Sequence, residues 1–136
     1  MNTLERLCVV DDDPVFTFLL KKIIEKTQVT LETVFFENGQ EAIDYLLECN
    51  FQQQKLPELI LLDINMPILD GWQFIDEYAK IHPSLSKGIS IFMVSSSTEN
   101  EDYERAMSTG FITDYVHKPI YATELQQIVN KVLSLN

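Results

Sequence analysis

Short apolar runs alternate with segments of helical periodicity along the chain. Runs rich in β-branched and other apolar residues occupy positions 6–10, 30–36, 59–62, 89–94 and 114–117. Such runs are typical of strands that a sheet buries on both faces. Each run is followed by a segment in which apolar residues recur at helical spacing. The pattern therefore predicts five strands that alternate with five helices.

The helical segments have recognisable starts and apolar faces. Four residues suit an N-cap position, namely Asp13, Asn38, Asp70 and Thr98. Gly110 suits the end of the fourth helix. We expect the first helix over 14–27 to bury Val15, Phe18, Leu19, Ile23 and Ile24, and the third to bury Trp72, Ile75, Tyr78 and Ala79. The polar stretch 50–55 is predicted to be an exposed loop, and the last helix to cover 123–133.

Strict alternation of strands and helices indicates the fold class. A strand that returns to the same sheet through a helix lies parallel to its predecessor, and such crossovers are almost always right-handed. The prediction is an α/β fold with a doubly wound parallel sheet and helices on both faces. With 136 residues and no internal repeat or linker, we expect one domain over residues 1–136.

Composition narrows the classes of function. Twenty-one acidic residues against ten basic ones give a formal charge of −11, which argues against direct nucleic-acid binding. The apolar runs are too short for a membrane span, and acidic residues near the start do not fit a secretory signal. Cys8 and Cys49 are too few for a disulfide framework. We expect a cytoplasmic protein with two reduced thiols.

Chemically active side chains follow four of the predicted strands. Asp11 and Asp12 follow the first strand, Asp63 the third, Ser95 the fourth and Lys118 the fifth. The carboxyl ends of parallel strands form the ligand-binding edge of an open sheet. Two carboxylates 4 Å apart repel by about 4 kcal/mol at an effective dielectric constant of 20. Such a group must therefore either hold protons or bind a cation. A divalent cation relieves the repulsion, and Mg²⁺ suits a shallow site of a few carboxylates and waters.

A divalent cation beside these groups also predicts phosphoryl chemistry. The metal neutralises oxygens of a transferring phosphoryl group, Lys118 pairs with another, and the Ser95 hydroxyl donates a hydrogen bond. Asp63 is then the candidate nucleophile, which becomes an acyl phosphate.

The motifs that carry these residues resemble a known family. They read Val9-Val10-Asp11-Asp12-Asp13-Pro14, Leu62-Asp63-Ile64-Asn65-Met66-Pro67, Asp70-Gly71, Val94-Ser95 and Lys118-Pro119. In this order they resemble the CheY-like receiver domains of two-component response regulators, over roughly residues 4–133. The resemblance implies a flavodoxin-like sheet of strand order 2-1-3-4-5 with five helices.

The resemblance also implies a role for each site residue. Asp63 would be the phosphoacceptor, and Asp12, Asp63 and the backbone carbonyl of Asn65 would bind Mg²⁺, or Mn²⁺ in its place. Asp11 would act through a coordinated water. Lys118 would contact the phosphoryl group, and its bond to Pro119 would be cis. Ser95 and Tyr115 would form the conformational switch.

The implied function is signalling and not enzymatic turnover. A histidine kinase or a histidine phosphotransfer protein would supply the phosphoryl group from a phosphohistidine. Phosphorylation would remodel the surface of the fourth helix, fifth strand and fifth helix and so control a downstream protein in trans. We expect a monomer, with a phosphorylation-linked dimer left open, and no contact with nucleic acid or membrane. Whether the chain is a piece of a larger regulator or hybrid kinase also stays open.

Two other functions remain to be separated from this one. A phosphohydrolase similar to haloacid dehalogenases also uses an aspartyl nucleophile, but those enzymes carry an acid–base Asp two residues later, where this chain has Asn65. A degenerate receiver would act as a constitutive docking module. The complete set of acidic, hydroxyl and lysine residues argues against that alternative.

Overall fold

Five parallel strands form one sheet in the order β2-β1-β3-β4-β5. The computed structural model describes residues 3–51, 56–96 and 100–135. The strands are β1 (Leu4–Val10), β2 (Thr30–Phe36), β3 (Leu59–Asp63), β4 (Ser90–Ser95) and β5 (Asp114–His117). The predicted fold class and strand order are therefore confirmed.

In the described part of the chain, five α-helices cover the two faces of the sheet. They are α1 (Pro14–Thr27), α2 (Gly39–Phe51), α3 (Gly71–Ile81), α4 (Asn100–Ser108) and α5 (Ala122–Ser134). A short 3₁₀ turn, His82–Ser84, follows α3. Buried residues of α1 and α5 pack on one face of the sheet, and those of α2, α3 and α4 pack on the other. Among the described residues, no helix combines the length and apolar character needed to cross a membrane.

The central strand β3 shows why its sequence is apolar throughout. Leu59 and Leu61 contribute to the core beneath α1 and α5, whereas Ile60 and Leu62 contribute to the core beneath α2, α3 and α4. Successive side chains of a strand point to opposite faces, so a strand covered on both sides needs an unbroken apolar run. β3 ends in Asp63, whose carboxylate follows directly on this apolar run.

The buried face of α1 differs from the predicted one. Of the five residues predicted to be buried, Ile24 is buried and Ile23 is half-buried, whereas Val15, Phe18 and Leu19 are exposed by 67%, 57% and 50%. The structure buries Phe16 and Leu20 instead. The apolar residues of this helix form two overlapping stripes, so periodicity alone cannot choose between them. Packing against the sheet and α5 buries the stripe formed by Phe16, Leu20 and Ile24, which are spaced by four residues.

The face of α3 was also predicted only in part. Ile75 and Tyr78 are buried as expected, but Trp72 and Ala79 are half-buried. Phe74, which the sequence argument left out, is fully buried. Its position three residues after Gly71 and four before Tyr78 places it on the face that meets the sheet.

The helix starts follow the predicted caps wherever the structure describes them. The Asp13 carboxylate accepts hydrogen bonds from the backbone N–H groups of Val15 and Phe16. Asp70 accepts from the Gln73 N–H at 2.8 Å, and the Gln73 side chain accepts from the Asp70 N–H at 2.9 Å, which completes a capping box.

The remaining predicted boundaries are mixed. The Asn38 side chain accepts from the Glu41 N–H at 2.9 Å. Gly110 adopts a left-handed backbone with φ +82°, as expected after a helix. Thr98 lies outside the described residues. The predicted exposed loop 50–55 is wrong at its start, because α2 continues through Phe51, and positions 52–55 lie outside the described residues. The Asn50 side chain, in the last turn of α2, donates to the Ser84 carbonyl and accepts from the Ser86 N–H.

Candidate metal and phosphoryl site

Three carboxylates meet at the carboxyl edge of the sheet. Asp11 and Asp12 follow β1 directly, and Asp63 is the last residue of the neighbouring strand β3. One oxygen from each carboxylate lies within 4.8 Å of the other two. Asp11 and Asp63 are buried, whereas Asp12 is exposed. The cluster therefore has a buried base and an open side that solvent, an ion or a phosphate can reach.

Lys118, which follows the edge strand β5, brings a positive charge into this cluster. Its ammonium lies 2.9 Å from Asp11 Oδ2 and 3.6 Å from Asp63 Oδ1, and its side chain is 14% exposed. The ammonium also lies 4.5 Å from the centre of the Phe16 ring. The Lys118–Pro119 bond is cis, as predicted.

Backbone hydrogen bonds hold the two buried carboxylates in place. Asp11 Oδ1 accepts from the Asp13 N–H at 2.9 Å, and Asp63 Oδ1 accepts from the Ile64 N–H at 2.9 Å. The backbone N–H of Asp11 donates to the Phe36 carbonyl of β2 at 2.9 Å. The backbone at the ends of β1 and β3 thus holds both carboxylates in position. The site therefore needs little reorganisation to bind an ion or a phosphoryl group.

The electrostatics of the cluster are unbalanced. Burial, followed by the charge of Asp11, raises the pKa of Asp63 to about 6, and Lys118 only partly opposes this effect. Burial also raises the pKa of Asp11 above its ordinary value. Burial lowers the pKa of Lys118, but its pairs with Asp11 and Asp63 outweigh this, so its net pKa is raised. One ammonium does not compensate three carboxylates, and a bound divalent cation fits this excess of negative charge.

Gly71 allows the loop after β3 to pack against the phosphoacceptor candidate. A Cβ atom at this position would lie 2.4 Å from the Asp63 carbonyl oxygen and 2.9 Å from Ile64 Cα. The Gly71 N–H donates to the Ile64 carbonyl at 2.7 Å. No other residue type fits this approach, so the start of α3 is fixed directly behind Asp63.

Ser95 and Tyr115 lie on neighbouring strands but at different levels. Ser95 is the last residue of β4, is 3% exposed and accepts from the Lys118 N–H through its carbonyl at 2.9 Å. The register pairs Ser95 with His117, whereas Tyr115 pairs with Met93. Tyr115 therefore lies two residues before the end of β5 and not beside Ser95. Its buried ring contacts Tyr103 of α4 with ring centres 6.0 Å apart.

The structure thus brings most of the predicted site residues together. Asp11, Asp12, Asp63 and Lys118 form one cluster, and the Ser95 backbone contacts it through Lys118. Asn65 lies exposed in the loop two residues after Asp63.

The sequence argument missed two contributors, Phe16 and the close packing of Gly71. Phe16 belongs to the stripe of α1 that periodicity did not select. The position of Gly71, directly after the capping residue Asp70, is the sequence feature from which its close packing could have been predicted.

Comparison with known proteins identifies a matching family. The family model described as "Response regulator receiver domain" matches residues 7–130. A solved two-component response regulator from Cytophaga hutchinsonii is 30% identical, with a TM-score of 0.87 over 97% of this chain and 98% of that one. The uncharacterised 14.6 kDa protein in the sodA1 3′ region of Leptolyngbya boryana is 30% identical over 96% of this chain and 93% of its own length.

Other matches show the same fold in different contexts. The solved Mn²⁺-bound form of the response regulator Rcp1 is 22% identical, with a TM-score of 0.71 over 96% of this chain and 92% of that one. Several curated relatives are longer proteins, of which this chain covers 15% to 33%.

Proposed function

The chain belongs to the response regulator receiver family of two-component signalling, and on this premise we propose that Asp63 accepts a phosphoryl group from a partner's phosphohistidine. The observation that carries the proposal is the position of Lys118, whose ammonium lies between the buried carboxylates of Asp11 and Asp63. A histidine kinase or a histidine phosphotransfer protein is the donor. The setting is the cytoplasm, where such donors present their phosphohistidines.

The proposed metal site uses the acidic cluster. Asp12, Asp63 and the Asn65 carbonyl hold Mg²⁺ or Mn²⁺, and Asp11 reaches it through water. Two observations support this assignment: the carboxylate oxygens lie within 4.8 Å of one another, and the pKa of Asp63 is raised to about 6 by burial and by Asp11. A bound cation supplies neutralisation of the charge on the transferring phosphoryl oxygens.

The proposed reaction is an in-line displacement at phosphorus. A carboxylate oxygen of Asp63 attacks, an O–P bond forms, and the P–N bond to the donor imidazole breaks. The electron pair of that bond stays on the imidazole nitrogen, which takes a proton from solvent. Lys118 then pairs with a phosphoryl oxygen, for which its ammonium needs to move only slightly from Asp11 toward Asp63.

The proposed output is a change at the α4-β5-α5 surface. Ser95 moves its hydroxyl toward the phosphoryl group, and Tyr115 rearranges on the neighbouring strand. Among the described residues of α4, Ala106 is the one that is buried. Because so little of this helix is packed into the core, it is suited to move. Tyr115 contacts Tyr103 of this helix directly. The surface controls a downstream protein in trans; the resting form is a monomer, and phosphorylation can favour a dimer.

A small-molecule phosphodonor tests the proposal without a cognate kinase. The protein is incubated with phosphoramidate and Mg²⁺, and the product is followed by intact mass spectrometry and inorganic phosphate release. We expect one phosphoryl group per chain that hydroxylamine and base remove. It should be absent from Asp63→Asn and present in the matched variant Asp76→Asn, at an exposed position of α3.

The same experiment separates the alternatives. Continuous rapid release of phosphate without a labelled protein would indicate a phosphohydrolase. No labelling of the wild type in the presence of Mg²⁺ would indicate a docking module. We propose that neither occurs, and that the chain promotes only its own phosphorylation and dephosphorylation.

A further inference from the structure

The ring of Phe16 lies against the ammonium of Lys118. The distance from Nζ to the ring centre is 4.5 Å, which is within the range of a cation–π interaction. Phe16 is 8% exposed and belongs to the core formed by α1, α5 and the sheet. The ring is therefore fixed by packing, whereas the lysine side chain that meets it has a flexible four-carbon stem.

Phe16 lies in the first turn of α1, which follows Asp11 and Asp12 of the acidic cluster. Asp13 follows Asp11 and Asp12, its carboxylate caps α1, and the Phe16 N–H donates to that carboxylate at 3.2 Å. The position of the ring is thereby tied to the position of the carboxylates through one helical turn. A displacement of either would change the geometry of the other.

We propose that Phe16 is a positioning residue for Lys118 in phosphoryl transfer, a role that rests on the function proposed above. Among the described residues the ammonium contacts Asp11 at 2.9 Å, Asp63 at 3.6 Å and the face of the Phe16 ring at 4.5 Å. The ring thus adds an apolar contact to the two ion pairs of the ammonium. It keeps the ammonium inside the site and reduces the number of rotamers that the lysine samples.

A ring face suits this task better than a third hydrogen-bonding group. The attraction between a cation and a ring varies smoothly with position over the ring. Lys118 can therefore shift from Asp11 toward a phosphoryl group on Asp63 without losing the contact. A carboxylate in place of the ring would instead hold the ammonium at one point and add negative charge to an already acidic site.

The test compares leucine and tyrosine at this position with a matched core substitution. Phe16→Leu keeps an apolar side chain but removes the ring, and Phe16→Tyr keeps the ring. Phe92→Leu is the control, because Phe92 is 2% exposed in the same core and faces a different ammonium, that of Lys131, at 5.8 Å. Rates of phosphorylation by phosphoramidate with Mg²⁺ are measured for each variant.

We expect Phe16→Leu to be phosphorylated about five-fold more slowly than the wild type, which corresponds to ~1 kcal/mol at about 1.4 kcal/mol per factor of ten. Phe16→Tyr should restore the rate to within about two-fold, and Phe92→Leu should match the wild type. Mg²⁺ affinity should not change in any of them. In NMR spectra, the ring-current shift of the Lys118 ε-protons should persist in Phe16→Tyr and disappear in Phe16→Leu.

The outcomes distinguish this inference from the function beneath it. If the wild type takes no phosphate, the proposed function fails. If the wild type is phosphorylated and Phe16→Leu reacts as fast as Phe92→Leu, or Phe16→Tyr is as slow as Phe16→Leu, the positioning role is wrong. Circular dichroism melts establish that each variant is folded, and Phe16→Met replaces the leucine variant if that one does not fold.

Discussion

The ammonium of Lys118 lies 2.9 Å from Asp11, and this ion pair joins the ends of two strands that are not neighbours. Asp11 follows β1 and Lys118 follows β5, with β3 and β4 between them in the sheet. The pair therefore crosses the carboxyl edge of the sheet past the ends of β3 and β4, which are Asp63 and Ser95. Among the described residues, the ammonium of Lys118 pairs with two of the three carboxylates at this edge, so the edge keeps an excess of negative charge.

We expect the ionised carboxylate of Asp63 to destabilise the metal-free protein at neutral pH. Burial, followed by the charge of Asp11, raises the pKa of Asp63 from its ordinary value to about 6. For a raised acid pKa, the folded state binds the proton more tightly than the unfolded state, so stability falls as pH rises from about 4 to about 6. In EDTA, Asp63→Asn should be more stable than the wild type at pH 7.5 by on the order of 2 kcal/mol.

Urea unfolding at two pH values checks this prediction. The advantage of Asp63→Asn should shrink toward zero at pH 4, where the wild-type carboxyl is protonated in the folded state. An equal advantage at both pH values would mean that the charge of Asp63 is not the cause. Asp76→Asn, at an exposed position of α3, should show no comparable effect.

Divalent cations should stabilise the protein through the same cluster. At a Mg²⁺ concentration about ten times Kd, binding to the folded state adds about 1.4 kcal/mol to the free energy of unfolding. Asp12→Asn should lose most of this gain, because Asp12 is the exposed carboxylate of the cluster and a proposed ligand of the metal. Thermal melts with increasing MgCl₂ measure the effect, and matched NaCl series correct for ionic strength. A wild-type melting temperature that ignores Mg²⁺ would contradict the metal site.

Substitution of Gly71 should disturb the site through its backbone. Gly71→Ala places a methyl group 2.4 Å from the Asp63 carbonyl oxygen, so the loop or the strand must shift. Overpacking of this kind costs about 1 to 3 kcal/mol. Gly88→Ala is the control, because no atom lies within 4 Å of its Cβ position. Denaturant melts should show a loss for the first variant and little change for the second; similar effects would show that the close approach is unimportant.

The attachment of α4 can be observed through the single tryptophan of the chain. The Arg105 guanidinium of α4 lies 4.2 Å from the centre of the Trp72 ring on α3. Arg105→Ala should change the Trp72 emission and lower stability by about 0.5 to 1 kcal/mol, as expected for an exposed cation–π pair. Phosphorylation of the wild type should also change this emission if α4 moves. Lys80→Ala, on exposed α3 surface, should leave the spectrum as it is.

Local sequence patterns predicted the elements and the edge at which the site lies. Apolar runs such as 59–62 mark strands, and caps such as Asp13 and Asp70 mark helix starts. Because parallel strands carry their carboxyl ends to one edge, the position of Asp11, Asp63 and Lys118 after their strands was sufficient to bring them together.

Tertiary packing decided what local patterns left degenerate. Two stripes of α1 are apolar, and only contact with the sheet and α5 selects the one that contains Phe16, which thereby comes to lie against Lys118. The register of β5 against β4 places His117, and not Tyr115, opposite Ser95. Neither relationship has a local signal, because periodicity describes one element at a time. The amino-acid sequence alone thus determined which side chains meet at the carboxyl edge of the sheet. The packing between helices and strands decided which other residues contact those side chains and how their charges are balanced.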